Sequence, residues 1–151
     1  SEEKAAGFIP ALPESPDSLK GRWLFEPGKA LMKSGCFNLL SHAHHMSKLG
    51  ISTHYYILDS YESVERLTGL GKVYRIKECF NLDKRSIKDA GRRYPHSEVT
   101  ARNIPMDTET LRKKLGITSG DDAHIFGLKS DSLGNLLFIT ERCFISSDVQ
   151  A

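Results

Sequence analysis

Long apolar runs are missing from this chain. None approaches the ~20 residues a helix needs to cross a bilayer, and the N-terminus lacks the charged-then-apolar pattern of a secretory signal. The reading that follows is a soluble, cytoplasmic protein with no membrane partner. Cysteine is scarce. Cys36, Cys79 and Cys143 are odd in number and far apart, which is no disulfide framework, and each sits among apolar neighbours as a buried thiol would in a reducing compartment. Internal repeats and low-complexity tracts are absent. A phosphate loop is absent too, since Gly71-Lys72 has neither the spacing nor the following Ser or Thr. No nucleophile, base and orienting group can be assembled, so no catalytic residue is expected. Asp121 and Asp122 are adjacent, share no face, and read as a turn after Gly120.

Metal-ligand spacing is also lacking. His42, His44 and His45 lie together, but on one helix only His42 and His45 approach one another, at i, i+3. A zinc pair on a helix takes i, i+4, and further ligands must converge. Cys36 points along the apolar stripe, away from His45, so no metal site is expected.

What is present suffices for one medium or two small folded units: 151 residues, 39% hydrophobic and 26% charged. Ser1 in place of Met points to a piece of something longer. Pro10, Pro13 and Pro16 make residues 1–20 read as an extended linker, with Phe8, Ile9 and Leu12 able to dock on a neighbour. Residues 22–26 form a short strand, and Pro27 suits the first turn of a helix that Gly35 stops. A second helix is predicted from Cys36 to about Lys48 on the spacing of Cys36, Leu39, Leu40, Ala43 and Met46. Residues 53–58 are rich in β-formers and read as a strand. This gives a small α+β unit over 21–68.

Gly69-Leu70-Gly71 punctuates the chain and opens a second unit, 69–151. Tyr74, Ile76 and Phe80 predict a half-buried strand. Ile87, Ala90, Gly91 and Tyr94 fall at i, i+3, i+4 and i+7 and predict a helix over 83–94, ended by Pro95. A strand follows over 98–103. Thr108 reads as the cap of a short helix stopped by Gly116, and two apolar runs, 125–128 and 136–139, flank a hairpin loop. The expected class is α+β, with the second unit a β-α-β-α-β-β mixed sheet carrying its helices on one face.

Charge is uneven. From Lys72 to Arg102 nine bases face four acids, which gives that stretch +5 and leaves −3 for the rest of a chain of net +2. Such a concentration attracts polyanions.

The segments 73–90 (VYRIKECFNLDKRSIKDA), 101–127 (ARNIPMDTETLRKKLGITSGDDAHIFG) and 136–143 (LLFITERC) resemble the THUMP-like domain that ends a family of bacterial class I methyltransferases. Residues 22–41 (RWLFEPGKALMKSGCFNLLS) and 53–60 (THYYILDS) are similar to the small ferredoxin-like module that precedes it. The resemblance covers about 21–145 in collinear order. It implies an upstream catalytic domain that binds S-adenosylmethionine and a nucleic-acid substrate, most naturally structured RNA. It also implies that this chain is the accessory region, with no cofactor of its own. The residues placed for RNA contact are Arg75 and Lys77 on one strand, then Lys84, Arg85, Lys88, Arg92 and Arg93 on the basic helix, and Arg102. Arg112, Lys113 and Lys114 add to the same charge, and Tyr55 or Tyr56 offers a stacking aromatic.

Two other functions compete. A protein-interaction or scaffold module, orienting the catalytic domain or making a dimer, needs an apolar patch in place of a positive face. A stand-alone enzyme is the weakest reading. The S-adenosylmethionine fold needs a Gly-rich turn between a strand and a helix, and Gly69-Leu70-Gly71 precedes a strand. The chain is therefore expected not to bind S-adenosylmethionine. Calorimetry giving stoichiometric micromolar binding contradicts this.

Overall fold

A computed structural model describes residues 7–144, without the side chains of Phe37, Asn38 and Leu40. It contains seven strands in the order β2-β3-β1-β4-β7-β6-β5. The described residues divide into two compact units, one of residues 7–12, 22–75 and 142–144, the other of 13–21 and 76–141.

In the first unit, β1 (Trp23–Pro27) leads through two short helices, α1 (Lys29–Ser34) and α2 (Phe37–Ala43), to β2 (Ser47–Gly50) and β3 (Thr53–Leu58). Helix α3 (Tyr61–Leu67) then returns the chain to the start of β4 (Gly71–Asn81). β1 pairs antiparallel with both β3 and β4, and β2 pairs antiparallel with β3. This is the β-α-β-β-α-β arrangement of a ferredoxin-like unit. Register puts Phe25, Tyr56 and Val73 on one face, where they pack with Met46, Leu58, Val64 and Leu67.

This unit corrects the sequence reading in four places. Pro27 ends β1, paired opposite Gly71, and α1 starts two residues later behind Gly28. The second helix stops at Ala43, not Lys48. The Met46 amide donates to the Ser41 carbonyl at 3.1 Å, and His45 takes φ 51°, the left-handed turn usually given to glycine at a helix end. Met46 is thereby released into the core, and Ser47–Gly50 pairs as a strand. The unit does not close at 68, because the fourth strand it needs is the first half of β4. A single strand thus carries residues of both units, and the break falls at Arg75/Ile76, inside β4, rather than at Gly69-Leu70-Gly71. Gly71 has a packing role: an added Cβ would meet the Glu26 carbonyl on β1.

Much of the proline-rich segment is built in. Lys48 and residues 9–11 exchange backbone hydrogen bonds of 2.7 and 2.8 Å, and Ala11 is buried. Further on, Ser15 and Ser18 form a reciprocal capping box around a 3-10 turn, Pro16–Leu19, that buries Leu19 completely. Only residues 1–6 of the expected linker lie outside the described residues.

In the second unit, β4 leads to α4 (Lys84–Arg93), β5 (Glu98–Arg102), α5 (Thr108–Leu115), β6 (His124–Ser130) and β7 (Gly134–Cys143). The order agrees with the expected β-α-β-α-β-β. β5 and β6 are parallel, β6 and β7 antiparallel, so the sheet is mixed. Ile87, Ala90, Leu111 and Leu115 from the helices share one core with Val99, Ala101, Ile125, Leu137 and Ile139 from the strands. The cap of α5 is Asp107, whose carboxylate accepts from the Thr110 amide at 2.8 Å; Thr108 instead accepts from the Ala101 amide at 3.0 Å.

Two glycines admit the helices. Gly127 leaves room on β6 for Ile104 and Leu111, and Gly91 lets α4 approach the end of α5, where an added Cβ would collide with the Leu115 carbonyl oxygen. Backbone cannot yield as a flexible side chain does. Gly91→Ala is therefore expected to destabilise the fold by roughly 1–3 kcal/mol despite alanine's better helix propensity. Urea unfolding monitored by circular dichroism measures this, and an unchanged midpoint would contradict the close approach.

Candidate nucleic-acid interface

Helix α4 begins where Asp83 accepts from the Ser86 amide at 2.8 Å while the Ser86 hydroxyl accepts from the Asp83 amide at 3.1 Å. Each satisfies a donor that the helix start would leave orphaned. Ile87, Ala90 and Gly91 are buried, so the remaining faces of the helix meet solvent. Lys84, Arg85, Lys88 and Arg92 are all exposed.

The expected basic residues fall into three groups. Lys84, Arg85 and Lys88 make no ion pair among the described residues. Arg92 and Arg93 converge on Asp89, at 2.8 and 2.9 Å, and Arg93 also reaches Glu78 on β4 at 2.8 Å. Exposed pairs of this kind add little stability, but they spend cationic field locally. The hydrogen bond from Arg92, with support from Arg93, holds the Asp89 carboxyl below the ordinary carboxylate range. The stabilisation from these contacts is full above that range and is lost as pH falls through the lowered value. Lys77 is half-buried, its ammonium 5.4 Å from the centre of the Tyr94 ring. Arg102, at the end of β5, bonds the Ala101 carbonyl at 2.9 Å. Arg75 belongs to the first unit, where its guanidinium lies 4.6 Å over the Trp23 ring.

Two grooves flank α4, and their charges are opposite. One, of about 590 Å³, is lined by Ser15, Asp17, Cys79, Asp83, Asp89 and Arg85. With Asp89 answered by Arg92 and Arg93, Asp17 and Asp83 still outnumber the one guanidinium in the lining, Arg85. Burial, with Asp17 beside it, pushes the Cys79 thiol up to about 12, so it stays protonated at neutral pH. The other, of about 510 Å³, runs from α4 to Pro105, Met106 and Lys114, with Lys84 and Lys88 on its helix side and Leu82 and Ile87 among its apolar lining. Here three ammonium groups face one carboxylate, Asp83.

Other expected sites change. Tyr55 and Tyr56 are both buried, and Tyr55 donates to Glu26 at 2.5 Å, so neither offers a stacking face. His42 lies in the last turn of α2 while His44 and His45 lie in the turn beyond it, so the i, i+3 relation on one helix does not exist. Among the described residues no group of three or more His, Cys, Asp or Glu side chains is placed to hold a metal ion. Lys114 was visible in the sequence only as one base in a run of three. Its partnership with α4 depends on helix packing.

Residues 71–142 match the family model described as THUMP domain-like. Residues 23–63 match that of a ferredoxin-like domain. No curated protein matches the sequence. Among solved structures, the fold is similar to the "Crystal structure of putative methyltransferase from Porphyromonas gingivalis W83", with a TM-score of 0.76 and 20% identity over 95% of this chain. At that identity the likeness concerns the fold. The chain spans 33% of that protein's length.

Among the described residues no helix is long and apolar enough to cross a membrane. The Asp89 contacts make a direct prediction. Asp89→Asn leaves Arg92 without its ion-pair partner while Arg93 keeps Glu78. With a structured RNA as probe, an interface that includes Arg92 predicts tighter binding by this variant and a slope of log affinity on log salt steeper by about one unit. An unchanged slope would place Arg92 outside the interface.

Proposed function

We propose that this chain is the accessory region of a S-adenosylmethionine-dependent methyltransferase acting on RNA, and that its second unit presents structured RNA to the catalytic domain. The observation that carries this reading is the lysine-lined groove beside α4, a cationic concavity on the segment that matches the THUMP-like model. Lys84, Lys88 and Lys114 supply mobile point charges suited to phosphates. The likeness to a longer protein described as a methyltransferase supports a place beside a catalytic domain. Cofactor chemistry belongs to that domain in this proposal. Gly69-Leu70-Gly71 connects a helix to a strand and is shaped by β1, so these residues do not fit a cradle for S-adenosylmethionine.

A scaffold role has its own support. The large apolar side chains exposed among the described residues, Leu12, Met32, Ile51, Tyr61, Leu70 and Phe144, all belong to the first unit. In the combined reading the ferredoxin-like unit docks the partner domain and the second unit holds the RNA.

Anisotropy titrations with a structured RNA at two salt concentrations test the proposal. The double variant Lys84→Glu, Lys88→Glu is expected to lose on the order of tenfold or more in affinity and to show a shallower salt dependence, with an unchanged circular dichroism spectrum. Equal binding by wild type and variant removes α4 from the interface. Absence of binding by the wild-type chain at low salt favours the scaffold role.

A further inference from the structure

The two grooves beside α4 form an internal comparison. They are similar in size, near 590 and 510 Å³, and share Asp83, yet one is acidic and the other combines three lysines with an apolar floor. A duplex alone does not account for the second. Duplex RNA presents phosphates and 2′-hydroxyls on a convex surface and keeps its base faces stacked inside. Against such a surface the lysines find phosphates, but the exposed parts of Leu82, Pro105 and Met106 between them find only water. The groove's volume lies in the range of sites that enclose a single small ligand.

An occupant that satisfies both halves has a flat apolar body attached to a phosphate. We propose that this groove takes one unpaired nucleotide of the bound RNA, its base against Leu82, Pro105 and Met106 and its flanking phosphates on Lys84, Lys88 and Lys114. The proposal rests on the RNA reading above and sharpens it: the second unit recognises a duplex interrupted by an unpaired nucleotide. The lysines reach the groove from two helices, α4 and α5, so both a base and its backbone can be held at once. The floor carries no aromatic ring, and apolar side chains then bury any base face, which makes the site tolerant of sequence.

The test uses the full chain and three RNAs of the same sequence: a blunt duplex, the duplex with one bulged nucleotide, and the duplex with an abasic residue at the bulge. The bulged RNA is expected to bind roughly tenfold more tightly than the blunt duplex, with the abasic RNA losing that preference. A 2-aminopurine at the bulge should change its emission on binding. Lys114→Gln, an exposed change, is expected to weaken binding of both RNAs and to weaken the bulged RNA more, so that the preference for the bulge falls. Equal affinity for all three RNAs overturns the nucleotide site and leaves the RNA reading standing. Equal affinity for the bulged and abasic RNAs also overturns it, because the base then contributes nothing. Binding to none of the three overturns both.

Discussion

The burial of Ile87, Ala90 and Gly91 beneath α4 is the constraint from which the candidate interface follows. Those residues must leave water, and the glycine among them lets α4 approach α5 more closely than an alanine would permit. Once this stripe is fixed against the shared core, every charged position on the helix has a fixed direction. Lys84 and Lys88 turn toward α5 and the loop before it, and Arg85 and Asp89 turn toward the other groove. A helix with the same composition and a shifted stripe would mix acids and bases on both sides.

Electrostatics then separate cations that the sequence treats alike. Asp89 engages Arg92 and Arg93, and Glu78 adds a second hold on Arg93. Their charge is largely answered at home. Lys84, Lys88 and Lys114 have no such partner among the described residues, and they surround a surface with no other use for them. The positive field is therefore concentrated on one flank of α4, along the groove lined by Lys84, Lys88 and Lys114. The ammonium is a suitable donor here. It is a mobile point charge that follows a phosphate, where a guanidinium would demand a fixed bidentate geometry.

The two units divide the chain's surface chemistry. The ferredoxin-like unit carries the exposed large apolar side chains, and the second unit carries the cationic groove. Strand β4 contributes residues to each. Its first five positions complete the β-α-β-β-α-β unit, and its later positions supply Glu78 and Cys79 to the other.

Local signals were enough to identify much of this fold. The β-former content of residues 53–58, the apolar stripe of α4, the glycine stop of α5 and the spaced apolar runs of the β6–β7 hairpin are all written within a few residues of where they act. Their energetics are short-range, so a sequence window contains them. Three features lay outside any such window. Ser47–Gly50 continues a helical pattern and becomes a strand because His45 closes a turn that glycine usually closes, and because β3 offers a pairing partner. Strand β4 reads as the start of one unit and serves two, since strand partners distant in sequence leave no local mark. The basic run of 72–102 marks a positive region, but which of its members remain cationic depends on Glu78 meeting Arg93 across fifteen positions, and on Lys114 meeting Lys84 and Lys88 through helix packing. The sequence determined the order of elements in the second unit and that one of them is basic. Tertiary structure decided which charges are left to act, because neutralisation and concavity are properties of side chains brought together from separate elements.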